Sequence, residues 1–492
     1  MPGTSLISLA LTSFSFVNAL NLNQRDVPAI VELPIERKQV TGGLHKRDST
    51  LNLPLSNYVC LPFTFRYFNR YFYILNLTLG TPAQQFSVAL DTGSSDLWVN
   101  IPDSSFCSSD NDPCAPFGVY DTHASSTYKN LDIDFNATYG DGTNAHGYYA
   151  TDKLTLGGVK VDDMQFGVAE STTVTQGIVG VAYEALTSEA SHQGKKYANL
   201  PQALVDSGAI KSPAYSLWLN NPKASRGSIL FGGVNKAMYK GILQTVPIVP
   251  LHGQYSYLAV TLTGVSVEHG NEPTDYSSQL PLVVLLDSGT TLTYLPEKLV
   301  NQIYKEFDAT FLNEDGIAYV DCDLQKKNAH VVFSFSGATI SVRISELVLE
   351  ARAPNFPKNT CAFGIVPAGN SLNSMYILGD TFLRSAYVVY DLANNEISLA
   401  NTNFSPTKDE ILEIGTGTRA VPGATPVESP VTSATVSSAT DLVHTVTIDS
   451  DVTGSDSTAG KTSSSRGSAA LPTSNTRQLL SGLAGAGLLL AL

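Results

Sequence analysis

Two aspartates in matching surroundings set the chemistry open to this chain. Asp91 ends the apolar run Phe86-Ser-Val-Ala-Leu90 and is followed by Thr92-Gly93-Ser94. Asp287 ends Leu282-Val-Val-Leu-Leu286 and is followed by Ser288-Gly289-Thr290. One Asp-[Thr/Ser]-Gly is an ordinary turn or cap. Two, each behind the pattern of a buried strand, make a repeat. The repeat continues: Ile178-Val179-Gly180 ends 89 positions after Asp91, and Ile377-Leu378-Gly379 ends 92 positions after Asp287. This reads as one β unit used twice, each copy presenting a carboxylate. Two carboxylates held a few ångströms apart cannot both ionise easily, so one keeps a proton. Such a pair is acid and base at once, able to take a proton from water and to polarise a carbonyl. Gly93 and Gly289 let the backbone come close to the acids. Neither a Cys/His spacing that suits zinc nor a Gly-x-Ser-x-Gly nucleophile turn occurs.

The elements that must position the pair follow the same logic. Tyr71 to Leu79 is a strand leading into Gly80-Thr-Pro. Residues 132–149 alternate apolar and polar about the turn Gly140-Asp141-Gly142, which predicts a β-hairpin. Helices are expected over Leu200–Gly208 and Glu297–Phe307, a polar loop with Lys195-Lys196 over 184–198, and a strand joining two halves at Gly227–Gly233.

With Trp98 and the motif Ile377-Leu-Gly-Asp-Thr-Phe-Leu-Arg384, these residues resemble the pepsin-like aspartic proteases over about residues 70–404. The resemblance implies an all-β, bilobal fold, with an N-terminal lobe (48–232) holding Asp91, a C-terminal lobe (233–404) holding Asp287, and a cleft between them. It implies a monomer that cleaves protein or peptide substrates at acid pH with no cofactor or metal. Asp91 and Asp287 would be catalytic. Thr92 and Ser288 would lock the two loops together, serine keeping the needed hydroxyl, and Ser94 and Thr290 would bond the outer carboxylate oxygens. The hairpin would be the flap over the substrate, with Tyr139, Gly140, Asp141 and Gly142 at its tip. Cys107 would pair with Cys114, and Cys322 with Cys361, leaving Cys60 over among the five cysteines.

Composition agrees with export. Only 15% of residues are charged, the net charge is −14 and the pI about 5.0, which argues against nucleic acid as a partner. Residues 1–19 read as a signal peptide. Residues 20–47 read as a pro-segment ending at the processing pair Lys46-Arg47, with Arg37 and Lys38 expected over the acidic pair. Residues 405–478, rich in Ser, Thr, Pro and Gly, read as a disordered stalk. The apolar tail 479–492 is shorter than the ~20 residues of a spanning helix. Together with Gly467-Ser468-Ala469-Ala470 it reads as a GPI signal, attachment falling at Ser468. That would place the protein on the outer face of the cell membrane, in the wall or outside the cell. Asn76, Asn136 and Asn403 lie in glycosylation sequons. The aromatic stretch 58–70 has two readings, an insertion or a translated intron.

GPI signal, stalk and dibasic pro-segment together resemble the fungal yapsin-like branch, with candidapepsin-like secreted enzymes next. The resemblance implies cleavage beside basic residues, and Asp141 at the flap suits it. Residues 100–120 lack the long cleavable loop of some yapsin-like enzymes, which implies a single-chain enzyme. The rivals are a broad-specificity secreted protease and a wall glycoprotein of the same fold without catalysis.

Overall fold

The computed structural model describes residues 29–40, 70–109, 112–221, 224, 226–270, 272–313, 316–350, 358–369, 375–431, 433–436 and 444–447. The expected signal peptide, Lys46-Arg47, Cys60 with its neighbours, Ser468 and the apolar tail lie outside them.

Strands dominate. In the first part of the chain they are β1 (Val31–Val40), β2 (Arg70–Leu79), β3 (Gln84–Asp91), β4 (Leu97–Asn100), β5 (Lys129–Thr138) and β6 (Asn144–Leu156). There follow β7 (Val159–Thr172), β8 (Ile178–Gly180), β9 (Ala214–Trp218), β10 (Arg226–Phe231), β11 (Gly233–Asn235) and β12 (Tyr239–Pro247). A 14-stranded sheet runs from Ala424–Pro426 through β12, Glu396–Thr402, Ala386–Asp391, β9, β10, β1, β2, β3, β8, β4, β7 and β6 to β5. Strands from both ends of the chain therefore share one sheet, and β9 and β10 lie at the join, as read for Gly227–Gly233. A smaller sheet around Leu282–Leu286 carries the second aspartate.

Strand chemistry explains the burial. β3 begins with glutamines at the surface and ends in the buried run Val88-Ala-Leu-Asp91. Leu282–Leu286 is buried throughout, as its unbroken apolar sequence requires. The helix Glu297–Phe307, found where expected, buries Leu299, Val300, Ile303, Tyr304 and Phe307, the three-and-four spacing of one helix face. It ends at Asp308 in the left-handed conformation. The second expected helix is Leu200–Asp206. The 184–198 segment is more structured than a polar loop: it contains a helix at Ser188–Gln193, capped by the Thr187 hydroxyl and stopped by Gly194.

Two findings change the domain reading. Part of the expected pro-segment is an interior strand: β1 pairs with β10 on one side and β2 on the other, and Val31, Leu33 and Ile35 are buried. The backbone of Arg37 and Lys38 lies opposite Tyr73 and Phe72. The stalk, moreover, does not begin at 405. Ile411–Glu413 pairs with β11, and Ala424–Pro426 lies parallel to β12. Ile414, Val421, Val427 and Ala434 are buried, and Ser433–Val436 pairs with Leu282–Leu286, so the folded body continues past residue 431. At about 1.5–3 kcal/mol for each buried aliphatic side chain, these contacts outweigh the composition of the segment. Glu413 joins the two ends: its carboxylate accepts from the Ala29 N–H (3.0 Å) and from the Lys211 ammonium (2.9 Å).

Both expected disulfides, Cys107–Cys114 and Cys322–Cys361, are formed. Asn76 and Asn136 are exposed, whereas Asn403 is half-buried with its amide donating to the Ala237 carbonyl at 2.8 Å. Among the described residues no helix is long and apolar enough to cross a membrane.

Candidate active site

The two aspartates meet because each half of the chain builds the same small crossing. β8 inserts between β3 and β4, parallel to the first and antiparallel to the second. Tyr376–Leu378 does the same between Leu282–Leu286 and Thr293–Leu295. The repeated glycine after each apolar pair has a steric reason. A Cβ on Gly180 would fall 2.3 Å from the Ser95 nitrogen, and one on Gly379 2.4 Å from the carbonyl oxygens of Thr290 and Leu292. Each loop thus passes through a gap that only glycine leaves open.

The loops are locked to each other. The Thr92 hydroxyl donates to the Leu286 carbonyl (2.8 Å) and accepts from the Ser288 N–H (2.9 Å). In return the Ser288 hydroxyl donates to the Leu90 carbonyl (3.1 Å) and accepts from the Thr92 N–H (3.2 Å). Of these four bonds, the two through the serine hydroxyl are the longer.

Inside the lock Asp91 and Asp287 are both wholly buried, each against the glycine of the other's turn. Gly93 and Gly289 donate their N–H groups to the inner oxygens of their own aspartates, each at 2.8 Å. Ser94 donates to the outer oxygen of Asp91, and Thr290 to that of Asp287 at 2.6 Å. Burial pushes both acids up from their ordinary value. For Asp91 the Ser94 and Gly93 donors oppose that rise. Asp287 is raised further by the charge on Asp91 and stands well above the ordinary carboxylate range. The two acids therefore titrate as a pair, with Asp287 the more strongly raised.

The hairpin β5–β6 brings Tyr139 near enough to feel the charge on Asp91. Its turn is closed by Gly142 N–H to Tyr139 O (2.9 Å) and Tyr139 N–H to Thr143 O (2.8 Å), with Gly142 at φ +84°. Asp141 accepts from the Thr143 N–H (2.8 Å) and hydroxyl (2.6 Å). Tyr139 is buried, its hydroxyl accepting from the Trp98 indole N–H at 2.6 Å. The charge on Asp141 reaches Tyr294 in the second half, so the tip faces across towards the other lobe.

The sequence reading found every member of this constellation but passed over the carboxylate of Asp96, buried beside it. Its partners Tyr149 and Tyr197 lie 53 and 101 positions away, and only the fold brings them in.

A bilobal β fold that presses a carboxyl–carboxylate pair between matching loops is that of an aspartic protease. Residues 72–402 match the eukaryotic aspartyl protease family, and the chain belongs to it as an aspartic-type endopeptidase. It is 48% identical over 439 residues, 87% of each chain, to a protein of Aspergillus oryzae described as "Probable aspartic-type endopeptidase opsB". Aspartic proteinase yapsin-3 of Saccharomyces cerevisiae is 38% identical over 356 residues, which cover 69% of this chain and 68% of that one. The crystal structure of the aspartic proteinase from Irpex lacteus has the same fold, with a TM-score of 0.56 at 23% identity, covering 68% of this chain and 95% of that one.

Proposed function

We propose that Asp91 and Asp287 hold one water and drive it into a peptide bond. Asp91, charged, takes a proton from the water as its oxygen attacks the carbonyl carbon. Asp287, protonated, gives its proton to the carbonyl oxygen; Asp91 then passes the proton it took to the amide nitrogen while Asp287 takes one back from a hydroxyl of the tetrahedral species, and the C–N bond breaks to leave acid and amine. The observation that carries this reading is the two buried acids brought together by the locked loops, each facing the glycine of the other's turn. Ser94 and Thr290 keep the outer oxygens aimed, and Tyr139 with Gly140, Asp141 and Gly142 closes over the bound strand. Acid proteolysis that pepstatin blocks, and that Asp91→Asn and Asp287→Asn each abolish, is the expected result. A purified protein with no such activity at any acid pH is instead a non-catalytic wall glycoprotein.

The substrate side chain beside the cut is basic, held by the Asp141 carboxylate at the flap turn. The relation to a yapsin supports this reading. Peptides with Lys or Arg at the cut site are expected to be cleaved in preference to Leu or Phe, and Asp141→Ser to erase the difference. An equal or reversed preference in the parent marks a broad-specificity enzyme. The chain enters the secretory pathway, is cut after Lys46-Arg47, is glycosylated at exposed Asn76 and Asn136, and is joined to a GPI anchor at Ser468. Release of the activity from membranes by a phosphatidylinositol-specific phospholipase tests the anchor.

A further inference from the structure

Asp96 lies on the same loop as Asp91, buried and without a part in proton transfer. Its Oδ1 accepts from the hydroxyls of Tyr149 and Tyr197, each at 2.6 Å, and its Oδ2 from the Ser188 N–H at 2.8 Å. Its carbonyl accepts from the Gly180 N–H at 2.8 Å, fixing the loop itself to the first crossing. These partners lead to the flap by two routes. Tyr149 belongs to β6, the returning arm of the hairpin. Ser188 begins the helix Ser188–Gln193, and its hydroxyl donates to the Asn136 carbonyl on β5, the outgoing arm, at 2.6 Å. The Tyr149 hydroxyl also accepts from the Glu189 N–H at 3.1 Å, so the two routes are cross-tied. Two residues beyond Asp96, Trp98 holds Tyr139 at the tip.

We propose that Asp96 is a positioning residue that sets the flap over the acid pair by holding both arms of the hairpin to the loop that carries Asp91. The sheet holds the returning arm through β7 from Ala145 onward, and the ties from Asp96 add to this by fixing both arms to the loop that carries Asp91, which keeps the tip in register with the dyad. An aspartate suits the task because its two oxygens face all three donors, whereas an amide in its place would set an N–H against the Ser188 N–H. Asp152, by contrast, is a similar hub in the same lobe, bonded by Tyr120, Ser125 and Thr127 hydroxyls and the Lys153 N–H, but not to the 91–98 loop.

The inference rests on the catalytic reading of Asp91 and Asp287, so its test has an arm that needs no turnover. Full-length enzyme is compared with Asp96→Ala, Asp96→Asn, the double variant Tyr149→Phe/Tyr197→Phe, and Asp152→Asn. Peptide cleavage is expected to lose tenfold or more in kcat/KM in Asp96→Ala, most of it as a higher KM, with Asp96→Asn intermediate. The double variant moves the same way, and Asp152→Asn lowers Tm with kcat and KM within twofold of the parent. Hydrogen exchange over residues 136–146 accelerates at least tenfold in Asp96→Ala and in the double variant, and not in Asp152→Asn. That arm reads flap order even if the parent cleaves nothing. If Asp96→Ala does not fold, the double variant decides. A folded double variant with parental KM and parental exchange at the flap overturns the proposal, as does a loss confined to kcat.

Discussion

The glycine of each Asp-[Thr/Ser]-Gly turn faces the opposite aspartate, and this gives a sharp test of the acid pair. A Cβ added at Gly93 would lie 2.8 Å from Cγ and Oδ1 of Asp287, and one at Gly289 would lie 2.6 Å from Oδ1 of Asp91. Ordinary contact begins at 3.4 Å. Gly93→Ala therefore displaces the opposite carboxylate by about 0.6 Å, and Gly289→Ala by about 0.8 Å, unless the loops part. Misplacement on the order of 1 Å costs about 10²-fold in rate. The expected loss in kcat is thus about 10-fold to 10²-fold, or ~1.4–2.7 kcal/mol of barrier, with Gly289→Ala the worse.

Neither glycine has a φ in the left-handed region, so alanine adds bulk without backbone strain. Gly158, at φ +82° with open space around it, is the opposite case. There alanine costs stability, about 1–2 kcal/mol, and leaves kcat alone. Steady-state cleavage of a quenched fluorescent peptide in acid, beside thermal melts, separates the two effects. Parental kcat in folded Gly93→Ala and Gly289→Ala would refute the claim that the pair works through its closeness.

Burial raises the dyad, Asp96 and Asp391 above their ordinary 3.8, so the folded chain holds protons that the unfolded chain has released. The stability they contribute is complete below about pH 4 and is lost as pH rises through their folded values, so Tm should fall from mildly acid to neutral pH. The double variant Asp91→Asn/Asp287→Asn should flatten that slope, and Asp152, whose pKa is lowered, opposes it only at the acid end. Truncation after Phe404 removes the buried Ile414, Val421 and Val427 and should cost on the order of 5 kcal/mol or more, whereas truncation after Val431, which spares them and removes Ala434 with the strand Ser433–Val436, should cost less, as thermal melts would show. Replacing Cys322 and Cys361, 39 positions apart, should destabilise by about 4 kcal/mol, against about 2.5 kcal/mol for Cys107 and Cys114, 7 apart, as chemical denaturation would show.

What could be read from the sequence was the part fixed by local necessity. Gly93, Gly289, Gly180 and Gly379 stand where another backbone or carboxylate comes within 3 Å of a missing Cβ, so they recur in both halves and reveal the repeat. Tyr139 and the Gly140-Asp141-Gly142 turn were legible because a tight hairpin restricts its own residues. The folded stretch after Phe404 was not. Averaged over 405–478 the composition is that of a stalk, and the average conceals Ile411, Leu412, Ile414, Val421 and Val427 in its first third. In the pro-segment Val31, Leu33 and Ile35 do alternate, but nothing local says that β10 and β2 await them on either side. Asp96 was hidden for the same reason, since its donors come from three distant elements.

These features share one cause. Hydrolysis by a carboxyl pair needs two acids in a place with little water, and such a place is costly to build: both must be buried, brought into contact and kept from drifting apart. Thr92 and Ser288 resist separation, the glycines permit approach, and the hydroxyls of Ser94 and Thr290 offset part of the burial cost. None of these fixes what lies above the acids. That falls to the hairpin, whose returning strand β6 is paired with β7 and whose outgoing strand β5 ends the sheet. The Trp98–Tyr139 bond holds the tip, and a second buried carboxylate on the Asp91 loop holds the arms. One short loop, residues 91–98, thus carries an acid for the chemistry and another acid for the cover.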